Sequence, residues 1–257
     1  MMLFGINKFK RKILELIRDE GLLSLLKRPL IYSKLILYIY SSKLKIKKIN
    51  QNSSLKSLVN FTFQLNNGFI KPLQKKSEIL QLLKYLKMNK PKTLLEIGTF
   101  SGGTLFLFTR IAANDATIIS IDLPEGHYGG GYPKLKEPLY KSFKLPNQNI
   151  ILLRCDSHDN KTLLKVKQLL NRKQIDFLFI DGDHSYNGVK KDFEMYHPLV
   201  NENGLIAFHD IVIHYQDKTV GVFKFWNEIK KKYNFEEIVE DWIQGECGIG
   251  ILKKNIS

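Results

Sequence analysis

The chain has only two cysteines, Cys155 and Cys247. Neither sits in a CxxC pair or a Cys/His spacing, which argues against a disulfide framework and a zinc-binding fold. That usage suits a reducing, cytoplasmic compartment. The apolar cluster Leu35-Ile36-Leu37-Tyr38-Ile39-Tyr40 falls far short of the ~20 residues that span a bilayer. No secretory leader is visible, because Lys8, Lys10, Arg11 and Lys12 are followed by Glu15, Arg18, Asp19 and Glu20 rather than by an apolar run. Two nucleotide fingerprints are missing as well. Gly98, Gly102 and Gly103 do not space as G-x-G-x-x-G, and no phosphate-cradling loop with its Lys-Ser/Thr occurs. Acids are also short, 25 against 40 Lys and Arg, for a net charge of +15.

The charge is uneven. Residues 1–50 hold twelve Lys and Arg against three acids, a surplus of nine. Lys, Ile and Asn are abundant throughout, so compositional bias accounts for part of it. Within residues 7–28, apolar positions from Ile13 to Leu26 recur at helical spacing among basic residues, punctuated by Gly21 and Pro29. Such a segment can lie on an anionic membrane, pack on protein or touch nucleic acid; packing on protein is the plainest reading and nucleic acid the weakest. Residues 41–56 read as a polar, basic linker. The division expected is a basic amphipathic extension over 1–60 and one catalytic domain over 61–257.

From residue 74 onward the pattern alternates. A helix over 74–88 leads to strands at Thr93–Ile97, Ile118–Asp122, Ile150–Arg154, Ile175–Asp181 and Leu205–His209. Helices fall between them, near 101–112, 161–171, 187–197 and 219–233. Trp242 and Gly248–Leu252 supply material for two closing strands. Continuous apolar strands such as Phe177-Leu178-Phe179-Ile180 suit a parallel sheet covered on both faces. The fold class is α/β, a Rossmann-like doubly wound sheet whose ligands sit at the carboxyl ends of its strands.

Those ends carry acids. Glu96 precedes the turn Gly98-Thr99-Phe100-Ser101-Gly102, where Gly98 and Gly102 admit a ligand close to backbone N–H groups. Glu96 is placed to accept from the amino group of S-adenosylmethionine (SAM), directly or through water, and Asp122 from its ribose hydroxyls, as acids do in dinucleotide folds. Asp156 is placed to receive the adenine amino group. Thr99, Ser101 and Ser157 complete the cofactor set, although Ser157 and Asp159 also read as helix caps. The fourth and fifth strands run into Asp181-Gly182-Asp183-His184 and His209-Asp210. Asp181, His209 and Asp210 can hold Mg²⁺ or a similar divalent cation. His184 stands where it could take a proton from a hydroxyl. The glycine-rich connection over 124–141, with Tyr128 and Tyr132, reads as a lid.

With these residues placed, the chain resembles the class I SAM-dependent methyltransferases. Within them it is most similar to the cephalosporin-hydroxylase-like and macrolide-sugar O-methyltransferases, over about residues 65–252. The motifs that carry the likeness are Glu96 to Thr104, Phe179 to Tyr186 and Phe208-His209-Asp210. The resemblance implies a seven-stranded sheet with a reversed last strand and Mg²⁺-dependent O-methylation. It also implies that Asp181 and Asp210 ligate metal and that His184 is the base. Relatives often carry a carboxylate where His209 stands.

The function expected is methyl transfer to a hydroxyl of a small acceptor, a sugar, glycan precursor or other natural product. Other readings are RNA or protein methylation, and a membrane-associated SAM-binding protein without transfer. Against amine methylation, no Asn/Asp-Pro-Pro-Tyr/Phe segment follows the fourth strand. A cytoplasmic protein, peripheral to the inner face of the membrane through residues 1–50, and a homo-oligomer are both compatible with the basic apolar front end.

Overall fold

The computed structural model describes residues 22–49, 53–124, 126 and 131–254, with 22–31 as backbone only. Helix α1 (Leu22–Lys47) and helix α2 (Leu55–Gln64) lead to α3 (Lys76–Asn89). The order is then β1 (Thr93–Ile97), α4 (Gly103–Ile111), β2 (Thr117–Asp122), α5 (Glu137–Lys141), β3 (Asn149–Arg154) and α6 (Asn160–Leu170). The chain closes through β4 (Ile175–Ile180), α7 (Tyr186–Tyr196), β5 (Val200–His209), α8 (Val222–Ile229), β6 (Asn234–Ile238) and β7 (Ile249–Lys253).

The seven strands form one sheet in the order β3-β2-β1-β4-β5-β7-β6. β1 to β5 pair in parallel, and β7 runs antiparallel to both β5 and β6. This is the seven-stranded sheet with a reversed last strand. Successive side chains of a strand face opposite sides, and here they divide two cores. Leu94, Ile118, Phe177 and Phe179 pack with Leu58, Ile79, Leu82, Phe106 and Phe108 from α2, α3 and α4. Leu95, Ile119, Leu178 and Phe208 pack with Val166, Phe193, Phe225 and Trp226 from α6, α7 and α8.

The strand order reverses between β2-β1 and β4, so the carboxyl ends of β1 and β4 open a crevice between them. Local sequence fixes where each following helix begins. Gly102 holds φ +87 before α4. Asp159 accepts from the Lys161 N–H at the start of α6, and Ser185 accepts from the Gly188 N–H at the start of α7.

Several expectations shift. Residues 41–47 belong to α1 rather than to a linker. Asn66 donates to the hydroxyls of Ser41 and Ser42, at 2.7 and 2.8 Å, and Tyr38 meets Phe69 edge to face. Pro29 does not end that helix. α2 crosses residue 60, where the division was expected, and buries Leu58 and Val59. β5 begins five residues early. Asn203 takes a left-handed conformation within it, and its N–H bonds Lys254 O at 2.7 Å. The strand expected near Trp242 lies instead at Asn234–Ile238; Trp242 is exposed, and Trp226 is the buried indole, donating to Glu237 at 2.6 Å.

Phe108 sits between Phe177 and Phe179 with ring centroids at 5.3 and 5.4 Å. Phe108→Ala is therefore expected to lower unfolding free energy by about 3–5 kcal/mol, read from urea midpoints. A loss below about 1 kcal/mol would show that this core is not packed as described.

Candidate active site

Two adjoining cavities open at the carboxyl ends of the strands. One, of about 230 Å³, is lined by Gly98, Asp122, Leu123, Asp156, Ser157 and Asp183 among others. The second, of about 330 Å³, is lined by Leu73, Gln74, Thr99, Ser101, His184, His209, Asp210, His214 and Cys247 among others. Gly98, Phe100 and Asp181 line both.

In the first cavity Asp122 holds the turn, accepting from the Phe100 N–H at 2.7 Å. Burial pushes its carboxyl up to about 6, against hydrogen bonds from Phe100 and Thr99 that pull the other way. Asp156 is exposed at the rim and accepts from the His158 N–H at 2.8 Å. Ser157 is buried, and its carbonyl accepts from Tyr196 Oη at 2.7 Å. The cap of α6 is Asp159, not Ser157.

Glu96 lies behind this wall. Its two oxygens accept from the hydroxyls of Thr104 and Ser120. Ser120 in turn lies 2.5 Å from Thr99 Oγ1, so any link from Glu96 to a ligand runs through that hydroxyl pair. Ser101 spends its hydroxyl on Lys71 O at 2.6 Å. Gly98 has φ +97, and a Cβ there would stand 1.9 Å from Asp181 O. Gly102, also left-handed, abuts the Tyr140 ring. Gly98 thus answers to backbone packing, and Gly102 to the Tyr140 ring, as well as to any ligand. Tyr132 is 2% exposed and packs on Tyr140 at 4.8 Å, so it is part of the core rather than a mobile cover. His127, Tyr128, Gly129 and Gly130 lie outside the described residues, as do residues 1–21.

The second cavity gathers a charged cluster. His184 Nδ1 is 2.9 Å from Asp210 Oδ2, and its Nε2 is 3.5 Å from Asp181 Oδ1. His209 Nδ1 is 3.1 Å from Asp181 and 3.2 Å from Asp210. Three members were not expected from sequence. Gln74 donates to Asp181 Oδ2 at 2.8 Å, and His214 Nε2 is 3.0 Å from Asp210 Oδ1. The Cys247 N–H donates to Asp210 Oδ1 at 3.1 Å. His214 follows Asp210 by four residues, a faint signal; Gln74 and Cys247 gave none.

Burial opposes charge on His184 and His209, but Asp181 and Asp210 outweigh it and raise both imidazoles. Burial likewise opposes charge on Asp210, yet the imidazoles around it hold its carboxyl well below the usual range. The donor set fits a divalent cation. Asp181, His184 and Asp210 offer ligand atoms within 4.8 Å of one another. Both ring nitrogens of His209 are buried without an aligned hydrogen-bond partner among the described residues. A cation there would displace protons from these groups, since ligating imidazole is neutral.

Burial also pushes the Glu96 carboxyl up to about 8, only partly offset by Ser120 and Thr104. A folded pKa above the ordinary 4.5 means the native state binds the proton more tightly. Stability from this group is therefore full at low pH and falls as pH rises toward 8. Glu96→Gln keeps the shape and lacks the titration. Unfolding midpoints at pH about 5 and about 8 should differ less in the variant than in the parent; equal differences would contradict the buried, protonated carboxyl.

Residues 95–211 match the methyltransferase domain family. A protein of Acanthamoeba polyphaga mimivirus, described as uncharacterized, is 36% identical over 125 residues, 49% of this chain and 52% of its own length. One of Sinorhizobium fredii, also described as uncharacterized, is 27% identical over 143 residues, 54% of this chain but 15% of its own length. The chain thus spans about half, or much less, of the curated relatives it matches. Among solved structures, a Bacillus cereus O-methyltransferase in complex with S-adenosylhomocysteine (SAH) aligns with TM-score 0.53 at 19% identity, covering 77% of this chain and 91% of that one. The O-methyltransferase TomG of Streptomyces achromogenes, involved in tomaymycin synthesis and in complex with SAM, aligns with TM-score 0.51 at 14% identity, covering 81% and 92%. Residues 95–211 are a methyltransferase domain, and the sheet that carries them has the class I SAM-dependent methyltransferase fold.

Proposed function

We propose that the protein transfers the methyl group of SAM to a hydroxyl oxygen of a small acceptor, with help from a divalent cation. The observation that carries this reading is the junction of the two cavities. A pocket rimmed by Asp122 and Asp156 meets, at Gly98 and Asp181, a pocket holding His184 and its carboxylates. SAM supplies an electrophilic methyl group on its sulfonium. A cation held by Asp181, His209 and Asp210 supplies positive charge that favours a developing alkoxide.

The chain's own residues do the rest. Asp122 is the acceptor for the ribose hydroxyls, Asp156 and Ser157 meet the adenine end, and the Gly98–Gly102 turn receives the methionine portion. Thr99 and Ser101 belong to that turn, and Glu96 supports it through Ser120 and Thr99. Asp210 holds His184 at Nδ1, which makes Nε2 the atom that takes the hydroxyl proton. Asp181 lies beside Nε2 and stabilises the resulting imidazolium. Gln74 fixes Asp181 from the other side. Positioning and electrostatics then account for most of the acceleration. The acceptor class proposed is a sugar or other hydroxylated natural product.

Two tests follow. With SAM and a panel of hydroxylated sugars, His184→Ala is expected to lower turnover about 10²–10⁴-fold while SAH still binds; undiminished turnover would remove His184 as base. The second concerns α1, which exposes Tyr32, Ile36, Leu37 and Tyr40 beside Lys34 and Lys43. No described helix is long and apolar enough to cross a membrane. We propose a cytoplasmic protein that touches an anionic bilayer peripherally through its basic extension. Co-sedimentation with anionic vesicles should occur and weaken with salt; no sedimentation at low salt would rule the contact out and leave α1 as a packing or self-association surface.

A further inference from the structure

We propose that the second cavity takes a late first-row divalent cation of the Zn²⁺ class, held by His209, Asp210 and Cys247, rather than Mg²⁺. The inference rests on the metal role proposed above and revises it, with Cys247 taking the place of Asp181 as a ligand and a different metal class.

The three residues come from two places in the chain, the end of β5 and the connection before β7. Their donor atoms lie within 4.8 Å of one another, and all three residues are buried. Two further observations point to a ligand. Both ring nitrogens of His209, a residue 4% exposed, lack an aligned hydrogen-bond partner among the described residues. Nδ1 sits 3.1 and 3.2 Å from carboxylate oxygens of Asp181 and Asp210 without the geometry of a hydrogen bond. Asp210 and Cys247 also both adopt left-handed backbone, with φ of 63° and 62°. Side chains rarely accept that conformation, and it persists where the surroundings enforce it. Here the Cys247 N–H bonds Asp210 Oδ1 and locks the two residues together.

Donor chemistry sets the metal. Mg²⁺ takes oxygen ligands and parts reluctantly with water, whereas imidazole and thiolate suit zinc and its neighbours. His214, with Nε2 at 3.0 Å from Asp210 Oδ1, adds a further nitrogen beside the site. Burial keeps the Cys247 thiol protonated more strongly than usual, so binding exchanges the S–H proton for a metal–sulfur bond and releases that proton to solvent. Asp181 and His184 stay on the side facing the acceptor. The usual Cys/His spacing is absent because tertiary contact, not a local motif, assembles this set.

The test uses the full chain and metal alone. Co²⁺ is titrated in and read by absorption, since a thiolate ligand adds a near-ultraviolet charge-transfer band that oxygen and nitrogen ligands lack. The expected result is a band saturating at one equivalent, lost in Cys247→Ser and kept in Cys155→Ser. His209→Asp is expected to lower the Zn²⁺-to-Mg²⁺ affinity ratio by about 10-fold or more. SAH binding by each variant reports folding; should Cys247→Ser not fold, the Cys155→Ser band and the His209→Asp ratio decide. Co²⁺ or Mg²⁺ binding without the sulfur band overturns this inference and leaves metal assistance standing. No cation binding by a chain that still binds SAH overturns both.

Discussion

The contact on which the site depends is the approach of the β1 end to the β4 end. The Asp181 N–H bonds Ile97 O at 2.8 Å, and the Gly98 N–H bonds Ile121 O at 2.9 Å. Any side chain at 98 would overlap the Asp181 carbonyl. That closeness brings the turn after β1 and the acid after β4 to one line, and it makes two cavities neighbours. A transfer reaction needs its two partners in contact at fixed geometry. The sheet supplies this by strand order, and the glycine makes the order sterically possible.

Around that line, charge is concentrated on one residue. Asp210 is approached by His184, His209 and His214 and accepts from the Cys247 N–H. Four groups converging on a buried carboxylate hold it ionised against its own desolvation. The cluster therefore has a fixed negative centre ringed by imidazoles. In the function proposed, the same carboxylate anchors both the base and the cation.

Much of this was legible from residues alone. Apolar strands each ending in an acid, at Glu96, Asp122 and Asp181, located the sheet and the edge where the two cavities open, because that signal is local and repeats. His184, Asp181, His209 and Asp210 do converge. What escaped reading was assembled by tertiary contact. Gln74 reaches Asp181 across 107 positions, and Cys247 meets Asp210 across 37; neither carries a local pattern. Glu96 was read as accepting from the cofactor directly or through water; that Ser120 and Thr104 hydrogen-bond its two oxygens follows from the register of β1 with β2 and the placement of α4. Tyr132 was read as a lid residue because it lies in the long connection that leaves the strand ending in Asp122, and it is instead a core aromatic against Tyr140.

The most direct test is calorimetric titration of the folded chain with SAH, alongside Asp122→Ala. One site per chain, weakened at least about tenfold (about 1.4 kcal/mol) in the variant, is the result expected if Asp122 holds the ribose. A folded parent that binds no SAH would contradict the cofactor cleft and, with it, the methyl transfer built on it.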